Sequence, residues 1–277
     1  MRLKNVGFNY WYAYQHLLSV YYDRIGEYEQ SISIFRKTLD VFDANPVYIE
    51  LHPWEYKKAY VNYLSSLVEV GDYELHEKEM TTFISMGDTF KVLWQPPLPL
   101  AALLLIQQTN VLVGQKQYKK FRAEKQSIYT LFKEKKKTID KFAQAFIEWN
   151  LCVLNVAAKD FKTSLSHIKE LFKLTSLNKA RLLFVYAKLV EILIHYELRH
   201  FKLLPSLLNS LEHIVGKTKR GYDFERLFWE LFKGVPQKGL AIYFTSYITR
   251  FEVYKDHGFF GSVDMVSWLK EKVENGG

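Results

Sequence analysis

Apolar positions recur along the chain at three- and four-residue steps, and the first clear run is Trp11, Tyr14, Leu17, Leu18, Tyr21, Tyr22 and Ile25. With 3.6 residues to a turn, that spacing lays them on one helical stripe. Gly26 follows, and a glycine can take the left-handed conformation that closes a helix. Tyr28 opens a second run containing Ile32, Ile34, Phe35 and Leu39, which Asn45-Pro46 stops because the residue before a proline is pushed out of the helical region. No sustained alternation bounded by turn dipeptides competes, so no strand is expected.

The same break recurs. Arg24-Ile25-Gly26-Glu27-Tyr28 is echoed by Glu69-Val70-Gly71-Asp72-Tyr73. Looser copies are Gly114-Gln115-Lys116-Gln117-Tyr118, Ala158-Lys159-Asp160-Phe161 and Leu198-Arg199-His200-Phe201. The aromatic closing each copy stands at 28, 73, 118, 161 and 201, separations of 45, 45, 43 and 40. Near-constant spacing marks an array of similar units. Each unit is expected to be two antiparallel helices about a tight turn, near residues 26, 71, 114, 159 and 199, with neighbours stacking to bury a face that one pair cannot cover. Pro46, Pro53, Pro96, Pro97 and Pro99 all fall between units, and Pro53 suits a first helical turn.

In the first unit Leu18, Tyr22, Gly26, Tyr28, Phe35, Leu39 and Pro46 form a pattern of large residue, aromatic, Gly-x-Tyr, aromatic, Leu and terminal Pro. The second carries Tyr63, Leu67, Gly71-Asp72-Tyr73 and Phe83. This resembles the tetratricopeptide repeat family over roughly residues 8 to 216. The later units depart from it, Ser19, Leu64, Thr109, Cys152 and Ile192 across the array replace the small residues that the family keeps at the helix crossings, and the unit exceeds the family's ~34 residues. The resemblance implies an all-α helical-repeat solenoid of about five antiparallel pairs over 1–216. Residues 217–277 then form a C-terminal helical cap on a single continuous array. That cap holds a short helix from Tyr222, a longer one from Lys238 to Tyr254, a turn at Gly258 to Gly261, and an amphipathic helix from Ser262 to Val273.

The resemblance also implies a concave face lined by the first helix of each pair. Its inward positions are Ala13, His16 and Val20, then Lys58, Val61, Asn62 and Ser65, then Leu103, Ile106 and Asn110. Phe146, Trp149, Asn150 and Val153 follow, then Tyr186, Leu189 and Leu193. Asn62, Asn110, Phe146, Trp149, Asn150 and Tyr186 are the candidate partner-binding residues. Family members grip extended peptides through such asparagines, whose amides both donate and accept. Trp149 is expected to be partly exposed there. The simpler reading has the asparagines bonding a neighbouring helix or water, and Trp149 in ordinary core.

Composition changes this picture little. The 277 residues are 48% hydrophobic and 25% charged, which is globular rather than disordered. The net charge of +8 is uneven: Lys116 to Lys141 holds ten bases against three acids. That segment suggests a nucleic-acid-binding alternative, set against the plainer reading of a solvated helix face. A single cysteine, Cys152, forms no internal disulfide and points to a reducing compartment. No zinc helix, phosphate loop, nucleophile elbow or cysteine pair is found, so a non-enzyme without metal or cofactor is expected. The longest apolar run, Leu98 to Ile106, is far short of the ~20 residues that span a bilayer. The opening residues lack the apolar stretch of a signal peptide, so the expectation is a cytoplasmic protein without membrane contact. The expected partner is a protein or peptide. Tyr10, Trp11, Tyr12 and Tyr14 go round their helix, and that aromatic edge is a candidate for self-association.

Overall fold

The computed structural model describes residues 7–95, 100–176, 178, 180–215, 223–235, 240–255, 259 and 263–275. Among these residues the protein is all-helical, with fourteen α-helices, two short 3-10 helices and no strand. Pro96, Pro97, Pro99, Tyr222, Lys238, Gly258, Gly261 and Ser262, used in the sequence reading, lie outside them. Two compact units divide the chain, Met1–Ala143 and Gln144–Gly277. The division falls inside a helix rather than at 216, where the repeat pattern fades.

Unit 1 contains α1 (Phe8–Arg24), α2 (Tyr28–Ala44), the short α3 (Val47–Leu51), α4 (Pro53–Glu69), α5 (Tyr73–Thr89), α6 (Leu100–Gly114) and α7 (Tyr118–Lys135). Unit 2 holds most of α8 (Lys141–Ala157), then α9 (Phe161–Leu174), α10 (Arg181–Glu197), α11 (Leu204–Val215), α12 (Asp223–Lys233), α13 (Leu240–Glu252) and α14 (Met265–Glu274).

Five helix ends are closed by one device. The left-handed residues are Gly26, Gly71, Lys116, Lys159 and Arg199, with φ of 80°, 76°, 52°, 60° and 58°. At each, the next residue's N–H reaches back five positions, as Glu27 to the Tyr22 carbonyl at 2.9 Å and His200 to the His195 carbonyl at 2.9 Å. The left-handed residue's own N–H reaches back three, as Gly26 to Asp23 at 3.2 Å and Lys159 to Val156 at 2.9 Å. This is the Schellman closure, which satisfies carbonyls that the helix end leaves open. Asp72 and Asp160, next along, accept the N–H groups of Leu75 and Thr163 and so cap the following helices.

The third turn corrects the sequence reading in detail. Gly114 is the last residue of α6, and Lys116 is the left-handed one. Gly114 is required for a different reason: a Cβ there would lie 2.8 Å from the Tyr73 hydroxyl and 3.0 Å from Val68 Cγ1. The aromatic of the second turn thus occupies the space that the third pair's glycine leaves open.

In unit 1, α1 packs on α2, α2 on α4, α4 on α5 and α6, and α6 on α7. Rings run through its core: Phe8 to Phe42 at 5.4 Å, Phe42 to Tyr56 at 5.2 Å, Tyr56 to Tyr60 at 5.6 Å, and Tyr60 stacked on Phe83 at 4.4 Å. Hydrogen bonds join residues 43 apart in sequence, about one repeat: the Tyr12 hydroxyl to the Glu55 carbonyl and Ser66 Oγ to Asp23.

In unit 2, α10 packs on α9 and α11, α11 on α12, and α13 on α14. The α14 helix is anchored by polar ties. Trp268 Nε1 and Lys272 Nζ both donate to the Glu197 carboxylate, at 2.5 Å and 2.8 Å, and Lys159 pairs with Glu271 at 2.5 Å.

Because a non-glycine residue in the left-handed region costs about 1 to 2 kcal/mol, Gly26→Ala should destabilise by about 1 kcal/mol. A Cβ at Gly26 meets nothing within 4 Å, so that loss is backbone strain alone. Arg199→Gly should shift stability the other way by about the same amount. Urea midpoints of the two variants check both signs.

Candidate functional site

In unit 1 the first helices of the pairs are neighbours, α1 beside α4 and α4 beside α6. Of the positions expected to line a groove, Ala13 is exposed and His16, Val20, Lys58, Val61, Asn62, Ser65 and Asn110 are half-buried, whereas Leu103 and Ile106 are core. Burial pushes His16 down to about 4, and the charge of Lys58 adds to that. The Asn62 backbone carbonyl accepts from Ser66 Oγ at 3.0 Å, and its side-chain amide makes no hydrogen bond among the described residues. The amide that ties this layer together is Gln107, which the sequence reading did not single out. Fully buried, it donates to the Val61 carbonyl at 3.4 Å and to Ser65 Oγ at 3.3 Å, while its Oε1 meets His76 Nε2 at 3.3 Å.

Unit 2 treats the matching positions differently. Trp149 and Asn150 are each 7% exposed, and Val153, Leu189 and Leu193 are core. Trp149 is therefore enclosed, which corrects the expectation of a partly exposed ring. The cause is local: Trp149 faces Tyr186 at 6.3 Å, and Tyr186 is met edge-on by Phe259 at 5.4 Å. Phe259, itself fully buried, also packs on Phe224 at 5.3 Å, so the C-terminal segment covers the face that the family would leave open. Phe146 stays exposed at 38%. Of the six candidate residues the structure thus brings Trp149 and Tyr186 together, places Asn150 in the core of α8, and holds Asn62 and Asn110 on the first-helix layer of unit 1.

The most exposed apolar feature of unit 1 lies on the outer side of α1. Tyr10, Tyr14, Leu17 and Tyr21 are 79%, 62%, 70% and 57% exposed, at steps of four, three and four. That is the seam spacing of paired helices, and it lies opposite the buried Tyr12 and Ser19. On α7, the turn after it and the start of α8, Lys119, Lys120, Lys133, Lys135, Lys137 and Lys141 are exposed, and none joins an ion pair among the described residues.

The remaining polar clusters are structural in form. Arg36 bonds Asp40 at 2.9 Å, Asp43 at 2.5 Å and Glu79 at 3.4 Å, and the Tyr60 hydroxyl donates to Glu79 at 2.8 Å. This knot joins α2, α4 and α5. Glu148, nearly buried, holds His167 Nδ1 at 2.7 Å. Cys152 is fully buried, with its thiol pushed up to about 12 by that burial, so it is no nucleophile at neutral pH. His195 and His200 share a hydrogen bond between Nδ1 atoms at 3.0 Å. No group of three or more metal-ligating side chains occurs among the described residues, and none of their helices is long and apolar enough to cross a membrane. A scan against protein-family models, a search of curated proteins and a search of solved structures each return no match.

Enclosure of Trp149 fixes the outcome of its removal: Trp149→Ala should cost about 3 to 5 kcal/mol, read as a lowered urea midpoint. A second prediction concerns Glu225, which is 2% exposed and has one carboxylate oxygen without a partner. Burial pushes it from 4.5 up to about 7, with a smaller push from Asp223. The folded form then holds the proton more tightly than the unfolded one. Its contribution is favourable at low pH and is lost as pH rises from about 4.5 to about 7. Glu225→Gln should flatten that part of the stability profile and gain no more than about 3 kcal/mol at pH 8, measured by denaturation across pH.

Proposed function

We propose that this protein is a non-enzymatic interaction scaffold, a tetratricopeptide-like solenoid of antiparallel helix pairs that binds protein through unit 1. It works in the cytoplasm, where the lone thiol of Cys152 stays reduced. The recurrent Schellman turns and the hydrogen bonds spaced one repeat apart support the solenoid. The open amide of Asn62 and the half-buried Val61 and Ser65 offer a face to an extended partner segment, with Asn110 in the same layer. The groove reading is kept for unit 1 alone, since the matching face of unit 2 is core.

The observation that carries the protein-binding reading is the α1 seam. Apolar stripes of this kind on a helix mark contacts with other helices. The seam is also symmetric about its midpoint: Tyr10 mirrors Tyr21, and Tyr14 mirrors Leu17. A second copy running antiparallel about a two-fold axis would set Tyr10 against Tyr21 and Tyr14 against Leu17, with no charge to desolvate. The occupant is accordingly a second copy of this chain. A second reading, nucleic-acid binding, rests on the six exposed lysines of α7, the turn after it and the start of α8.

Sedimentation velocity over a concentration series tests the first reading. A reversible dimer is expected, converted to monomer by the Tyr14→Glu/Leu17→Glu double variant, whose exposed positions should shift stability by about 0.5 kcal/mol or less each. A monomer at all concentrations, or a dimer indifferent to the variant, overturns it. Oligonucleotide binding that weakens steeply with salt and disappears on replacing Lys133, Lys135 and Lys137 by Ser would favour the second reading.

A further inference from the structure

Unit 2 contains a cavity of about 580 Å³ between α10, α11 and α12, closed on one side by Leu240 of α13. That volume is in the range of small-molecule sites. Tyr196, Leu204, Leu208 and Phe232 form its apolar wall, and Phe201, 53% exposed, also lines it.

Its charged group comes from α12, and Asn209 of α11 adds an amide. Trp229 and Lys233 stand one turn apart on α12 and both line the cavity. The Trp229 Nε1–H is shielded from solvent and meets no acceptor. Lys233 Nζ lies 4.0 Å from the centre of the Trp229 ring and joins no ion pair among the described residues. Among the described residues no carboxylate lines the cavity. The nearest acid in sequence, Glu230, is held by Arg250 at 2.7 Å. An ammonium ion without a counter-charge among the described residues and a long apolar wall are complementary to a molecule with one anionic head and an apolar body. A single ammonium ion suits a monoanion better than a phosphate dianion, which needs more charge and more hydrogen bonds to leave water.

We infer that unit 2 binds a small amphipathic carboxylate, with its head on Lys233 and its chain along Tyr196, Leu208 and Phe232. The site belongs to unit 2 alone and does not depend on the α1 seam.

Calorimetric titration of the intact protein with decanoate, below its micelle concentration, tests this against decanol, which has the same chain without the charge. Saturable one-to-one decanoate binding is expected, with decanol weaker. A hydrogen bond to a charged group is worth about 1.5 to 3 kcal/mol, so Lys233→Gln should weaken decanoate by roughly tenfold to a hundredfold and leave decanol unchanged. Leu208→Trp, which fills the cavity, should abolish both. Lys233 is exposed, so its variant stays informative if Leu208→Trp fails to fold. Absence of saturable decanoate binding, equal affinity for decanoate and decanol, or binding indifferent to Lys233→Gln would overturn the inference.

Discussion

The left-handed residue at each of five turns is the constraint on which the other contacts depend. Once Gly26, Gly71, Lys116, Lys159 and Arg199 take positive φ, the carbonyls of the preceding helix end are satisfied locally and the chain can leave on a new course within two residues. Two of the five are glycine, for which this conformation carries no steric cost. The other three are long basic residues held there against about 1 to 2 kcal/mol of strain each, so the surrounding packing must over-determine the turn. For Lys159 one source of that determination is visible in its pair with Glu271 of α14.

The aromatic two residues after each turn then does different work in different places. Tyr73 fills the space kept open at Gly114, which is why a glycine appears there although it is not the turning residue. In unit 1 rings continue the contact inward through Phe42, Tyr56, Tyr60 and Phe83. In unit 2 they gather round Tyr196, with Phe232 at 5.5 Å and Trp268 at 5.8 Å, and the C-terminal segment adds Phe259 to the cluster. In unit 2 the buried aromatics close over the face of α10 that the expected groove would use.

What stays outside that core is informative because it is specific in kind. The α1 seam is apolar and uncharged, the α7 surface is cationic, and the unit 2 cavity combines an apolar wall with one lysine. By contrast, the main polar clusters are mutually satisfied, as in the Arg36 knot and the Gln107 bridge, and the buried Cys152 thiol is neutral at rest. Satisfied and neutral groups stabilise and specify packing, and they offer little to a substrate.

Helix content, the five turn positions and the aromatic markers were legible in the sequence because each depends on local chemistry: periodicity, a residue able to reverse the chain, a proline between pairs. The candidate groove was only partly legible. Asn62 and Trp149 hold comparable first-helix places by register, yet Asn62 is half-buried with an unpaired amide and Trp149 is enclosed. Nothing near Trp149 in sequence records this, since the ring that seals the face, Phe259, is 110 residues away and acts through Tyr186. The unpaired Trp229 Nε1 and the unpartnered oxygen of Glu225 were likewise invisible, because a side chain's lack of a partner is a property of everything folded around it. Local conformational preference is written in neighbouring residues, and so the sequence alone determined the helices and their turns. Burial is a sum over the whole unit, and so only the tertiary structure decided which faces those helices leave open.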